Sequence, residues 1–261
     1  MRVAAVIPAR MQSTRLPGKP LLPIAGVPMI LRVLERARSC PELRRIIVAT
    51  DSEEIRSTVE SSGGEAWLTS PLHRTGSDRV AEVAEKLNEE LILNLQGDEP
   101  LLHPSTVRAL IHAAASLPDL KVISAMVPLA RESDIVNPNV VKVVVDGQGK
   151  ALYFSRYPIP YRKSSPLDLR AAAAGERLLA GYHKHVGIYL YKREFLLQYV
   201  RLASTPLELS ESLEQLRVLE HGYTIHMVAV EHDSLSVDTP EDARLVESLI
   251  LHGGRAGDAP V

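Results

Sequence analysis

Val3-Ala4-Ala5-Val6-Ile7-Pro8 is an unbroken apolar run, and Arg45-Ile46-Ile47-Val48-Ala49-Thr50 is the next of its kind. Continuous rather than alternating apolar residues mark strands buried on both faces, the habit of parallel sheets. Between the two, residues 29–39 put Met29, Ile30, Val33, Leu34 and Ala37 on one helical stripe, with Arg32, Glu35, Arg36 and Arg38 opposite. The alternation continues. Asp51-Ser52-Glu53-Glu54 reads as an N-cap with a capping-box glutamate, and Gly63-Gly64 ends that helix. A short strand is expected at 66–68, a helix at 77–87, a strand at 91–95, a helix at 104–116 and a strand at 122–127. This rhythm predicts an α/β fold, a mostly parallel sheet with helices on both faces. Ligands on such sheets bind beyond the carboxyl ends of the strands.

After about residue 130 the rhythm changes. Residues 140–145 and 151–154 flank Asp146-Gly147-Gln148-Gly149 and read as a hairpin. Residues 157–181 are rich in Pro, Ser and Ala with little period, which predicts an excursion or flap. Strands are expected at 185–191 and 224–230, and helices at 206–220 and 240–251. Thr239-Pro240-Glu241-Asp242 supplies the last helix with a cap, a proline at its first position and acids in its first turn. The expected organisation is one domain over 1–252, with an α+β insertion at roughly 130–230 and a disordered tail at 253–261.

Composition limits the function. The chain of 261 residues balances 30 Lys+Arg against 32 Asp+Glu, so no global basic field exists to hold nucleic acid. No apolar run approaches the ~20 residues of a membrane span. A single cysteine, Cys40, excludes a disulfide within the chain and a Cys-based zinc site, and suits a reducing cytoplasm. Any anionic ligand must be held by local charge.

The loop after the first strand, from Ala9 to Pro20, gathers Arg10, Arg15 and Lys19 with the hydroxyls of Ser13 and Thr14. Backbone N–H groups and cations there can hold phosphates. It is neither a Walker A loop nor a GxGxxG turn, and a merely solvated basic loop is the alternative. Asn94-Leu95-Gln96-Gly97-Asp98-Glu99-Pro100 closes the fourth strand, where Asp98 suits Mg²⁺. Gly-Asp-x-Pro also forms a plain turn. Asp238 precedes the Thr239 cap and suits either a metal or a helix start. Arg74-Thr75-Gly76-Ser77-Asp78-Arg79 could bind a base or ribose, or merely cap the next helix. His183 and His185 complete no zinc set, no G-x-S-x-G elbow is present, and Glu214-Gln215 reads by default as a solvated helix shoulder.

Taken in order, these blocks resemble one family. Ile7-Pro8-Ala9-Arg10 with Ser13-Thr14-Arg15-Leu16-Pro17-Gly18-Lys19-Pro20 is similar to the opening of the 3-deoxy-manno-octulosonate (Kdo) cytidylyltransferases, the CMP-Kdo synthetases. The likeness runs on through Gln96-Gly97-Asp98-Glu99-Pro100, Asn137-Pro138-Asn139-Val140-Val141-Lys142, Phe154-Ser155-Arg156, His185-Val186-Gly187-Ile188-Tyr189, Leu213-Glu214-Gln215-Leu216-Arg217 and Val237-Asp238-Thr239-Pro240. Leu72, Thr75 and Met11 depart from the family's commoner acidic residue, Ser and Tyr. The resemblance implies a nucleotide-diphospho-sugar transferase-like fold and a reaction of CTP with Kdo that gives CMP-Kdo and pyrophosphate. It implies catalytic roles for Arg10, Lys19, Asp98 and Asp238, with the two aspartates as Mg²⁺ ligands. Pro8, Ala9, Arg10, Ser13 and Lys19 would hold the nucleotide, together with Arg74, Gly76, Ser77 and Arg79. Gln96, Arg156, His185, Tyr189, Glu214 and Gln215 would form the sugar-acid site. A homodimer in the cytoplasm serving lipopolysaccharide synthesis is expected on the same ground. Asp238, a metal-bound hydroxide, and a metal that acidifies the sugar hydroxyl all stay open as the route for the proton. The rivals are a CMP-sialic acid synthetase and a non-catalytic nucleotide-binding relative.

Overall fold

The computed structural model describes residues 1–12, 16–117, 119–161, 163, 179 and 181–253. The first half builds β1 (Val3–Ala9), a short hairpin of β2 (Pro23–Ile24) and β3 (Val27–Pro28), α1 (Met29–Arg38), β4 (Leu43–Thr50), α2 (Glu53–Ser61), β5 (Glu65–Leu68), α3 (Gly76–Glu85), β6 (Leu91–Asn94), α4 (Pro104–Ala115) and β7 (Val122–Pro128). The second half adds α5 (Glu132–Val136), β8 (Lys142–Val145), β9 (Ala151–Ser155), β10 (His183–Lys192), α6 (Arg193–Tyr199), α7 (Pro206–Glu211), α8 (Leu216–Glu220), β11 (Ile225–Ala229) and α9 (Pro240–Leu251).

The strands align in the order β11-β7-β10-β6-β1-β4-β5, with β8 beside β10 and β9 beside β8. The pairs β1–β4, β1–β6, β4–β5 and β7–β11 are parallel, as expected of a mostly parallel sheet. Strand β10 is antiparallel to both β6 and β7. It enters the middle of the sheet from the opposite end, so its first residues, His183 to His185, lie beside the last residues of β7.

The continuous apolar run of β1 is explained by what covers it. Val3, Ala5 and Ile7 pack with Ile30, Val33 and Leu34 of α1, Ile55 and Val59 of α2, and Val107 and Leu110 of α4. Ala4 and Val6 face the other way, onto Val80, Val83 and Ala84 of α3 and Phe195, Leu196 and Tyr199 of α6. Both faces are buried, so no polar alternation is tolerated.

Three local expectations need correction. The cap of α2 is Ser52, whose hydroxyl accepts from Ile55 N; its third helical position is Ile55, so no capping-box glutamate forms. The run 206–220 is not one helix: Ser212 adopts φ 52°, ψ 48° and separates α7 from α8. Glu214 and Gln215 are therefore no solvated shoulder, since Glu214 is bonded to Ser77 and Gln215 is buried. Helices α5 and α6 carry no sequence signal that predicts them. Most of the predicted excursion at 157–181, and residues 254–261 of the predicted tail, lie outside the described residues.

Candidate active site

At the carboxyl ends of β1 and β6 two backbones nearly touch. A Cβ on Gly97 would stand 2.8 Å from the carbonyl oxygen of Pro8, so only glycine lets the β6 loop pass there. That approach places Asp98 beside the first loop. The amide of Val237 donates to Asp98 O at 2.9 Å and brings the chain before α9 to the same spot. Asp238 is fixed in turn by α9, because its amide and that of Thr239 donate to Asp242 Oδ2 at 3.0 and 2.8 Å.

Lys19 stands between the two aspartates. Gly18, in a left-handed conformation (φ 70°), turns the loop into a short 3-10 segment that begins at Lys19. Lys19 Nζ lies 2.6 Å from Asp98 Oδ2 and 2.9 Å from Asp238 Oδ1. Burial works against the ammonium, but the two carboxylates outweigh it and raise its pKa above the ordinary lysine value. These groups line a cleft of about 650 Å³ together with Pro8, Ala9, Arg10 and Gln12 of the first loop, Thr75, Gly76 and Arg79 of the α3 start, and Gln96. Ser13, implicated by the resemblance, lies outside the described residues.

The α3 start forms the cap that one of its two alternatives expects. Thr75 and Asp78 form a reciprocal capping box, as a helix start would. Thr75, Gly76 and Arg79 also face the cleft. Arg79 is buried and committed to Thr69 Oγ1 and, at 2.8 Å, to Asp51 Oδ2. Arg74 is exposed and does not line the cleft. Ser77 is buried beneath it and begins a chain of contacts leading away.

That chain is continuous. Gln96 Nε2 donates to Asn94 Oδ1 (3.1 Å), Asn94 Nδ2 to Ser77 Oγ (3.4 Å), and Ser77 Oγ to Glu214 Oε1 (2.7 Å). It joins the cleft to the break between α7 and α8. Burial raises the pKa of Glu214, and the Ser77 hydroxyl works against that rise. His185 is buried on β10, with Nε2 2.9 Å from Ser124 Oγ and its ring edge-on to Phe154 at 5.1 Å. Burial, with Lys184 beside it, pushes its pKa down to about 3. Tyr189 packs against His185 and Tyr191 at 5.4 and 5.7 Å.

Arg156 stands apart. Its Nε, Nη1 and Nη2 donate to the carbonyls of Glu211 (2.8 Å), Pro138 (2.9 Å) and Ser212 (3.3 Å), and it lines a separate pocket with Val136, Tyr157 and Pro158. The structure thus brings Pro8, Ala9, Arg10, Lys19, Gly76, Arg79, Gln96, Asp98 and Asp238 to one cleft. It connects Ser77 and Glu214 to that cleft and leaves Arg74 and Arg156 off it.

Sequence reasoning missed two neighbours. His73 lines the cleft, its Nε2 2.6 Å from Glu82 Oε2, and no motif announced it. Glu99 is fully buried next to Asp98 with Oε2 unpartnered, and burial, then Asp98, pushes its pKa up to about 7. Its place after Asp98 was the only available signal.

Two hard oxygen donors that converge on one cation, each partly open to the cleft (side chains 26% and 32% exposed), suit a divalent ion whose other ligands come from water and phosphate. No group of three or more His, Cys, Asp or Glu able to hold a metal occurs among the described residues. Two carboxylates with room for water and phosphate oxygens suit the oxygen ligation of Mg²⁺.

A mixed sheet with a cationic loop and paired carboxylates at its carboxyl edge defines a nucleotidyltransferase. The chain belongs to the cytidylyltransferase family, whose model matches residues 4–225, and within it to the 3-deoxy-manno-octulosonate cytidylyltransferases. A protein of that description from Geotalea uraniireducens is 45% identical over 94% of this chain and 98% of its own. One from Trichlorobacter lovleyi is 46% identical over 97% of this chain and 100% of its own. A solved structure of CMP:2-keto-3-deoxy-manno-octonic acid synthetase complexed with CTP superposes with a TM-score of 0.87 at 39% identity, covering 97% of this chain and 100% of that one. A cytidylyltransferase from Leptospira borgpetersenii shares the fold at 18% identity and a TM-score of 0.63, over 97% of this chain and 87% of that one.

Proposed function

We infer that the protein activates Kdo: the sugar's anomeric hydroxyl attacks the α-phosphorus of CTP, forming CMP-Kdo as the bond to pyrophosphate breaks. The observation that carries this reading is Lys19 held between Asp98 and Asp238 in the cleft, in a chain of this family. Both substrates are anionic, so charge repulsion is a large part of the barrier, and fixed cations where charge develops lower it. Lys19 and Arg10 supply those cations from the first loop. Asp98 and Asp238 would hold Mg²⁺, which when bound neutralises charge on the triphosphate. Gly76 and the backbone of Pro8 and Ala9 wall the nucleoside part of the cleft.

Gln96, at the junction of the cleft and the hydrogen-bonded chain, would meet the sugar acid, with Glu214, Gln215, His185 and Tyr189 behind it. A polar pocket of this kind rejects sugars that leave its buried groups unpaired. A homodimer, a cytoplasmic site and a role in lipopolysaccharide synthesis belong to this same reading, as does a single nucleotidyltransferase domain over 1–252. Among the described residues no helix is long and apolar enough to cross a membrane. The test is pyrophosphate release from CTP with Mg²⁺, across Kdo, its amino analogue and sialic acid. Kdo-dependent release is expected. Release that prefers sialic acid, or none with Kdo, would overturn the reading.

A further inference from the structure

His73 enters the cleft from the loop between β5 and α3. Its Nε2 is 2.6 Å from Glu82 Oε2, and the same oxygen accepts the Ser70 amide at 2.9 Å. Glu82 is partly buried on α3. Burial raises its pKa, but the Ser70 amide and His73 outweigh this and hold it below the ordinary value. An ionised carboxylate only accepts, so the hydrogen in the His73–Glu82 contact belongs to Nε2. In its neutral form the ring then carries its lone pair on Nδ1, which has no partner among the described residues.

The other polar side chains on this side of the cleft are already committed. Arg79 is spent on Thr69 and Asp51, and Thr75 Oγ1 accepts the Asp78 amide at 3.1 Å. Gly76 is walled by Pro8: a Cβ there would lie 3.3 Å from Pro8 Cγ. A triphosphate drawn to Lys19 would put the nucleobase toward the α3 start, the wall that the proposed CTP site gives to the nucleoside.

We propose that His73, oriented by Glu82, selects the pyrimidine, its Nδ1 accepting a hydrogen bond from the exocyclic amine of cytosine. Uracil presents an oxygen at that position, and two facing acceptors repel. His73 is thus a specificity-determining residue and Glu82 the residue that positions its ring and fixes its tautomer. The inference rests on the reading of the cleft as a CTP site, and deepens it.

The test is equilibrium binding of CTP and of UTP with Mg²⁺ and no sugar acid, by titration calorimetry, for wild type, His73→Leu and Glu82→Gln. Wild type should prefer CTP. His73→Leu should shrink the CTP-to-UTP affinity ratio by about 10-fold, mainly by weakening CTP, as expected for one lost hydrogen bond in a partly buried site. Glu82→Gln can donate its amide to Nε2 and move the ring hydrogen to Nδ1, so it should also lower the ratio while improving UTP. A merely structural role would weaken both nucleotides by one factor and leave the ratio unchanged; that result, or equal wild-type affinity for the two, overturns the proposal. Unfolding melts confirm that each variant folds, and Glu82→Gln carries the test if His73→Leu does not. An intact CTP preference without Kdo-dependent pyrophosphate release would sink the enzymatic reading and leave this one standing.

Discussion

Lys19 shares its single positive charge between Asp98 and Asp238, so the three side chains together keep a net negative charge. A triphosphate competes for the ammonium, and a divalent cation competes for the carboxylates. The two exchanges favour each other, since either alone takes a partner from a partly buried charge. Asp98→Asn should therefore leave the fold intact, because the main-chain carbonyl that receives Val237 N is untouched. It should lower kcat by at least about 100-fold, more than the loss of an outer-shell partner to a metal ligand. Near-wild-type turnover at saturating magnesium would remove Asp98 from the metal site. His185 makes a different kind of prediction. Its folded pKa lies near 3, below the unfolded value of 6.5, so the unfolded chain takes up the proton first. Its contribution to stability is fully present above pH 6.5 and is lost as pH falls through the window toward 3. Urea unfolding at pH 7, 6 and 5 should show wild type losing up to about 1.4 kcal/mol per pH unit from this residue. His185→Gln should flatten that slope. An unchanged slope would mean that His185 does not titrate alone in this window.

The break between α7 and α8 decides where Glu214 and Gln215 go. Ser212 sits at φ 52°, a region that costs a side chain with a Cβ about 1–2 kcal/mol and glycine much less. Contacts made by the next few residues offset the strain: Leu213 is buried, Glu214 reaches Ser77, and Arg217 pairs with Glu208 in the interior. Ser212→Gly should then stabilise the protein by about 0.5–1 kcal/mol, net of the greater freedom glycine gives the unfolded chain. At this chain length that is a rise of about 1–4 °C in Tm. Ser212→Val should lower Tm, and a glycine variant no more stable than serine would show that the turn is unstrained. This break also marks what the sequence could and could not reveal. The apolar period from 206 to 220 fits one helix, and nothing local signals a left-handed serine; the turn is imposed by burial of Leu213 and the Glu208–Arg217 pair, which are tertiary facts. The longer strands and helices of the first half were legible from their apolar runs and stripes, whereas the short β2–β3 hairpin was not foreseen. Lys19, Asp98 and Asp238 were legible as candidates because strand ends and helix starts lie at the ligand edge of such a sheet. Their meeting was not, since it depends on Val237 bonding to Asp98 across 139 positions. Arg156 shows the converse: its type suits a carboxylate partner, yet the folded chain spends its guanidinium on three main-chain carbonyls.

At the scale of the whole molecule, the cleft is assembled from the two halves of the chain. The first loop, the α3 start and the β6 loop come from the first 100 residues, whereas Asp238 in the cleft wall, and Glu214 behind it, come from the second half. Among the connections that tie them are the Ser77–Glu214 hydrogen bond and the Val237–Asp98 backbone bond. Both run through elements that the nucleotide would touch, α3 on one side and the Asp98 loop on the other. Filling the nucleotide side should fix Gln96 and Ser77, and with them Glu214, before the sugar acid binds. Kdo should consequently bind the free protein weakly, and a non-reactive CTP analogue with Mg²⁺ should tighten its binding by a factor of roughly 5–150, the usual span of coupling between sites. Calorimetric titration of Kdo with and without the analogue measures the factor. Ser77→Ala severs one of these connections and should reduce it, while leaving analogue affinity nearly unchanged because Ser77 lies beneath the cleft rather than in its wall. Equal Kdo affinity in both titrations would show that the sugar side is already formed without nucleotide, and that the Gln96-to-Glu214 chain only braces the fold.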